Sequence, residues 1–187
     1  EGITLIHNKA LVPVAPSSFD EVFALDARLS RQGRKAILWD YTNCYFTWPL
    51  LAAHGGYAFR QRPDGTFDAR DTGVANAGAL VGAQLLERMF REGLMPTGSG
   101  YPEMEAAMAQ GRVAMMINGP WAWVNLKRAG IDFGVARIPQ VAGKAAVPMA
   151  KAVEQNWDGP LEGLVIAPHG YGHDLGYLRL VHASHPV

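Results

Sequence analysis

Trp121 follows a Gly-Pro pair in Ile117-Asn118-Gly119-Pro120-Trp121-Ala122-Trp123, and Tyr45 and Phe46 lie just past Asn43 in Asn43-Cys44-Tyr45-Phe46-Thr47-Trp48-Pro49-Leu50. Rings held at turns of this kind suit a ligand with flat apolar faces and a polar rim, because the negative ring face attracts polarised C–H bonds. A sugar ring fits that description. One well-covered ring contributes on the order of 1–2 kcal/mol, so several must converge before binding reaches the micromolar range. Glu1, ahead of an apolar run, and Asn43 are candidates to hydrogen-bond the hydroxyl rim, the carboxylate more strongly than the amide. Each residue also has a plainer role: a large ring at an element end is more often core, Glu1 is a solvated residue, and Asn43 is a helix N-cap. Trp39, Trp48 and Trp123 are assigned to the core.

Catalytic chemistry has no visible carrier. The sequence contains no Gly-x-Ser-x-Gly, no phosphate-cradling Gly-x-x-x-x-Gly-Lys and no Cys-x-x-Cys. His169 and His173 have the spacing of a helical metal pair, but the glycines between them argue against that helix, so neither metal nor cofactor is expected. A glycoside-active enzyme is the alternative reading, since aromatic shelves beside a carboxylate also describe a hydrolase cleft. It needs two carboxyl groups roughly 5–9.5 Å apart, and only Glu1, with Asp40 more distantly, lies near the predicted shelf. That favours binding over hydrolysis; a truncated lobe without activity is the third possibility.

With 187 residues, 49% of them hydrophobic, the chain can bury a substantial core, and one domain is the natural expectation. Lys plus Arg equals Asp plus Glu at 17 each, which leaves no bulk field for nucleic acid or an anionic membrane. No apolar stretch approaches the roughly 20 residues that span a bilayer. Cys44 stands alone, which excludes an internal disulfide and a thiolate-rich metal site. The chain opens on Glu1 and runs at once into the strand-like Gly2–Asn8, so it is expected to be a piece of a longer protein, and a missing signal peptide carries no information.

The elements that must hold these residues alternate. After the first strand, Ser18 followed by Glu21 predicts a capped helix start, with Val22, Leu25 and Leu29 on one stripe and Gly33 as its stop. Lys35 to Trp39 reads as a strand, Tyr45 to Ala53 as a short helix despite Pro49, and Tyr57 to Asp71 as a surface hairpin turning at Pro63-Asp64-Gly65. From Asp71 or Thr72 an amphipathic helix is expected to carry Val74, Leu80, Val81, Leu85 and Met89 to a stop near Gly93. A helix over Pro102–Gln110, a strand over Arg112–Ile117, a helix over Pro120–Arg128 and a strand over Ile131–Ile138 follow. The alternation predicts an α/β fold with a helix-covered, mainly parallel sheet.

Glu1 to Lys9, Tyr45 to Leu51, Gly55 to Phe59 (Gly-Gly-Tyr-Ala-Phe), Gly73 to Gly78, Ile117 to Trp123 and Phe133 to Val135 with Pro139 together resemble, in order, one lobe of the periplasmic maltose/maltodextrin-binding proteins. The resemblance covers residues 1–148 and implies part of the C-terminal lobe of a periplasmic-binding-protein (type II) fold. It implies a monomeric, non-enzymatic, periplasmic solute-binding component of an ABC importer, which closes about a hinge over a malto-oligosaccharide and delivers it to membrane permease subunits. Carried over by position, Glu1 accepts a sugar hydroxyl, Tyr45, Phe46 and Trp121 line the aromatic surface, and Asn43 takes a sugar-contacting carboxylate position. The family usually has Glu-Pro where this chain has Asn43-Cys44; an amide there forfeits a charge-assisted bond worth about 1 kcal/mol, and ligand preference shifts accordingly. From Pro148 the resemblance stops. Residues 149–187, rich in Pro, Gly and His, are expected to be an anomalous tail from a shifted reading frame or an artificial join. With half a cleft, the isolated chain is expected to bind maltose at about millimolar affinity or not at all.

Overall fold

The computed structural model describes residues 2–148 and, beyond them, only the backbone of two paired strands, Leu164–Ala167 and Arg179–His182. The expectations for Glu1, for His169 and His173 and for most of residues 149–187 lie outside the described residues.

The apolar run Val113–Asn118 (β5) is buried at every position, as a strand covered on both faces must be. On one side it pairs in parallel with Lys35–Leu38 (β2); on the other it pairs antiparallel with Thr4–Asn8 (β1), which in turn pairs antiparallel with Phe133–Ala136 (β6). The order β2-β5-β1-β6 corrects the expectation of a mainly parallel sheet. Strands β2, β5 and β6 do share one direction, as helical connections require, but β1 is inserted between β5 and β6 running the other way. The reason lies in Lys9–Ser17. This irregular stretch itself returns the chain to the far end of the sheet, where Ser18 bridges Gln140 just beyond β6. The helix Phe19–Leu29 (α1) then climbs back, so β2 starts from the end at which β1 finished.

Ser18 caps α1 by accepting the Glu21 N–H, while the Glu21 carboxylate reaches past it to the Ser17 N–H (2.7 Å) and hydroxyl (2.9 Å). These bonds hold the Glu21 carboxyl below its ordinary pKa. At the other end, Asp26 is buried and accepts the Ala36 N–H at 2.8 Å, which docks α1 onto the start of β2. Phe19 and the fully buried Trp39 meet at 6.3 Å in the core between helix and sheet.

The second helical layer joins Cys44–Ala52 (α2) to Ala77–Arg91 (α3). A Cβ at Gly78 would strike the His54 carbonyl, and one at Gly82 the Leu50 carbonyl, so the two chains approach to a distance only glycine permits. Helix α3 begins later than the apolar pattern suggested. Asn76 caps it through the Ala79 N–H (2.8 Å), Asp71 is engaged by Tyr57 and Arg60, and Val74 and Leu80 are largely exposed. Between α2 and α3 the hairpin Arg60–Gln61 (β3) and Phe67–Asp68 (β4) stands on its own. Helix Tyr101–Ala109 (α4) leads into β5; a 3₁₀ turn, Pro120–Ala122, then enters helix Trp123–Arg128 (α5). Trp48 is buried, whereas Trp123, assigned to the core from sequence, is only half-buried; it lies 6.2 Å from Phe133.

Candidate functional site

The reversal of β1 decides what converges. Thr4 at the start of β1 lies opposite Asn118 at the end of β5, and Leu38 at the end of β2 is level with Met116. The amino end of β1 and the carboxyl ends of β2 and β5 therefore meet at one sheet edge.

After β2, Asp40 accepts the Thr42 hydroxyl at 2.6 Å, and Asn43 caps α2 by accepting the Tyr45 N–H at 3.0 Å. The cap occupies one lone pair of the Asn43 carbonyl, and the exposed side chain retains its second lone pair and its N–H donors. The first turn of α2 is pinned from beneath, since the Trp39 indole donates to the Thr47 hydroxyl (3.2 Å) and that hydroxyl donates to the Tyr41 carbonyl (3.3 Å). Tyr45 is thus set, half-buried, on a fixed helix end.

Trp121 reaches the same place from β5. Gly119 is in extended backbone, with φ −104 and ψ 179, so any residue could adopt its conformation. What demands glycine is space: a Cβ there would overlap the Trp121 ring, which lies directly across it. The Tyr45 and Trp121 rings come together with centroids 6.5 Å apart and planes tilted by 41°, and Trp121 too is half-buried. Phe46 does not join them as a third open face. At 5% exposure it belongs to the core, edge-on to Tyr45 at 5.4 Å (87°), because the helical step from Tyr45 turns it inward. Its place is that of a backing ring.

Sequence reasoning missed the residues behind Trp121. Phe46 packs on Tyr101 at 5.9 Å, and the Tyr101 hydroxyl accepts from the Asn118 amide (3.3 Å) and donates to the Glu105 carboxylate (3.0 Å). Burial pushes the Tyr101 phenol above its ordinary pKa; the Asn118 and Trp121 side-chain donors pull it back in part, and Glu105 raises it further. The sequence did carry a signal. Asn118 ends a wholly apolar run, and a buried amide must find partners for its donor and acceptor atoms.

Chemically the edge offers two tilted ring faces beside amide, hydroxyl and carboxylate groups. Asp40, the distant second carboxylate of the hydrolase alternative, is buried and bound to Thr42. Among the described residues no group of three or more His, Cys, Asp or Glu is placed to hold a metal ion, and no helix is long and apolar enough to cross a membrane. A surface depression of ≈ 590 Å³ between the start of α1 and α3, walled by Asp20, Leu85, Arg88 and Gln140, shares no lining residue with the ring pair.

Residues 2–169 match the family model of bacterial extracellular solute-binding proteins. The chain is 33% identical over 148 residues to the maltooligosaccharide ABC transporter solute-binding lipoprotein of Streptococcus pneumoniae, covering 74% of this chain and 34% of that one. It is 32% identical over 161 residues to the maltodextrin-binding protein of Bacillus subtilis (80% and 38%), and 27% identical over 147 residues to the galactooligosaccharide-binding protein of the same organism (75% and 35%). The chain spans about a third of the length of the curated relatives it matches.

Proposed function

Because this chain belongs to the bacterial extracellular solute-binding protein family, we propose that it is part of the C-terminal lobe of a monomeric, extracytoplasmic receptor for malto-oligosaccharides. The intact receptor captures its sugar between two lobes that close about a hinge, and presents it to the membrane permease of an ABC importer. In a two-membraned cell its compartment is the periplasm.

The observation that carries this reading is the half-buried Tyr45–Trp121 pair, 6.5 Å apart at the edge where three strand ends meet. Tyr45, Trp121 and the outer atoms of Asn43 form the sugar-facing surface, with Glu1 as the expected carboxylate and Phe46 as support. The names of two relatives favour α-linked glucose oligomers, while a third is named for galactooligosaccharides. The ligand is therefore tested against both.

Calorimetric titration of the full-length protein with maltotriose and with a galactotriose is the test. The proposal expects micromolar maltotriose binding, a Trp121→Ala variant weakened by roughly 10- to 30-fold (about 2 kcal/mol), and no new reducing ends on prolonged incubation. Preference for the galactoside would reassign the ligand; unchanged affinity in the Trp121 variant would overturn the site. Within this reading residues 1–148 form the partial lobe and 149–187 a segment apart. Since the family match runs to residue 169, sequencing the intact gene through that boundary is the direct check.

A further inference from the structure

Behind the ring pair runs a continuous set of hydrogen bonds that saccharide contact alone does not explain. Glu105, on α4, is held from α5 by the Asn125 amide, which donates to Oε2 at 3.4 Å, while its Oε1 accepts the Tyr101 hydroxyl at 3.0 Å. That hydroxyl accepts from Asn118 Nδ2 at 3.3 Å. Asn118 Oδ1 in turn accepts the Gly119 N–H at 2.8 Å. Gly119 is the residue on which the Trp121 ring rests. Asn118 is fully buried, so both ends of its amide are committed within the protein. Asn118 and Gly119 belong to the backbone that delivers Trp121, whereas Tyr101 and Glu105 come from a different helix. The bonds therefore tie the platform to α4.

We propose that Glu105, Tyr101 and Asn118 form a brace that sets the plane of Trp121 before ligand arrives, and that Glu105 and Tyr101 are positioning residues for saccharide binding. The inference rests on the reading of Trp121 as a sugar platform. The brace works by preorganisation: a ring already at its bound tilt loses less freedom when the sugar arrives.

The test uses the full-length protein carrying Tyr101→Phe or Glu105→Gln, each in the wild-type and in the Trp121→Ala background. In the wild-type background Tyr101→Phe is expected to weaken maltotriose binding by about fivefold and Glu105→Gln by about threefold, the scale of one hydrogen bond lost or weakened. In the Trp121→Ala background both effects fall below about twofold, because two changes acting through one group are not additive. Equal losses in both backgrounds would mean that these residues act on the sugar or on the fold without Trp121, and would overturn the brace, as would no loss in either. The indole N–H resonance of Trp121 in the ligand-free protein gives a second readout. It shifts in Glu105→Gln, which leaves the Tyr101 hydroxyl beside the ring, if the brace exists and stays put if it does not, even should maltotriose prove not to be the ligand. If Tyr101→Phe does not fold, the volume-conserving Glu105→Gln carries both readouts.

Discussion

Among the described residues, the sheet edge and the β3–β4 hairpin both hold aromatic rings toward solvent, and they are built differently. At the sheet edge, Tyr45 stands on a capped helix end and Trp121 lies across Gly119, with Phe46 and Tyr101 packed behind them. At the β3–β4 hairpin, Phe67 on β4 and Phe59 just before β3 are more exposed, at 53% and 51%, yet the ladder that supports them has two residue pairs. The hairpin is tied down by surface groups, Arg60 and Tyr57 on Asp71 and Arg62 on Asp68 (3.0 Å). Such exposed pairs contribute little. Exposure is thus greater where support is weaker. A ring serves as a binding surface when its orientation is already fixed, and the edge meets that condition where the hairpin does not.

The largest expected contrast comes from Gly119→Ala. Its backbone tolerates alanine and the obstructing atoms are the outer ring of Trp121, so the ring moves while the fold holds. Saccharide affinity should fall about tenfold while stability changes by about 1 kcal/mol or less, read by calorimetric titration beside thermal melting. The hairpin counterpart, Gly65→Ala, inverts this pattern. At φ +83 a side chain is strained; stability should drop by about 1 kcal/mol with affinity unchanged. Smaller still, the double substitution Phe59→Ala and Phe67→Ala is expected to change affinity less than twofold and stability by about 0.5 kcal/mol or less. A larger loss of binding would make the hairpin part of the site.

Acid offers the mildest separation. The Tyr57 hydroxyl and the Arg60 guanidinium hold the Asp71 carboxyl below its ordinary pKa. A carboxylate depressed in the folded state adds stability that is present above its unfolded value of about 4 and is lost as pH falls through the folded one. Hairpin amides such as Arg60 N–H, bonded to the Asp71 carbonyl at 2.9 Å, should therefore lose exchange protection below about pH 4, ahead of the β1–β5 ladder. Alkali does not discriminate as well, because the Tyr57 and Tyr101 phenols are both shifted upward.

Much of this was legible where local chemistry decides. The Ser18 cap, the hairpin turn at Gly65 and the delivery of Tyr45 and Trp121 by strand-to-helix turns each depend on a few adjacent residues. The sequence misleads where distant residues decide. The direction of β1 depends on Lys9–Ser17 crossing the sheet and meeting Gln140, which no periodicity in β1 encodes. That reversal also brings the start of β1 to the ring pair. Helix α3 starts later than its apolar pattern predicts, because Val74 extends that pattern whereas Asp71 is bound to the hairpin and Asn76 supplies the cap. Phe46 looked like Tyr45 in sequence, and one helical step separates a half-buried ring from a buried one. Tyr101 lay hidden for another reason: its function depends on an oxygen shared with Asn118 and Glu105 across two elements.

The most direct measurement follows the indole N–H signals of the full-length protein as maltotriose is added. The Trp121 signal is expected to move and saturate with the calorimetric affinity while that of Trp39, buried on its Thr47 bond, stays in place. Saturable binding that leaves the Trp121 indole unmoved would mean that the sugar does not rest on the Tyr45–Trp121 pair.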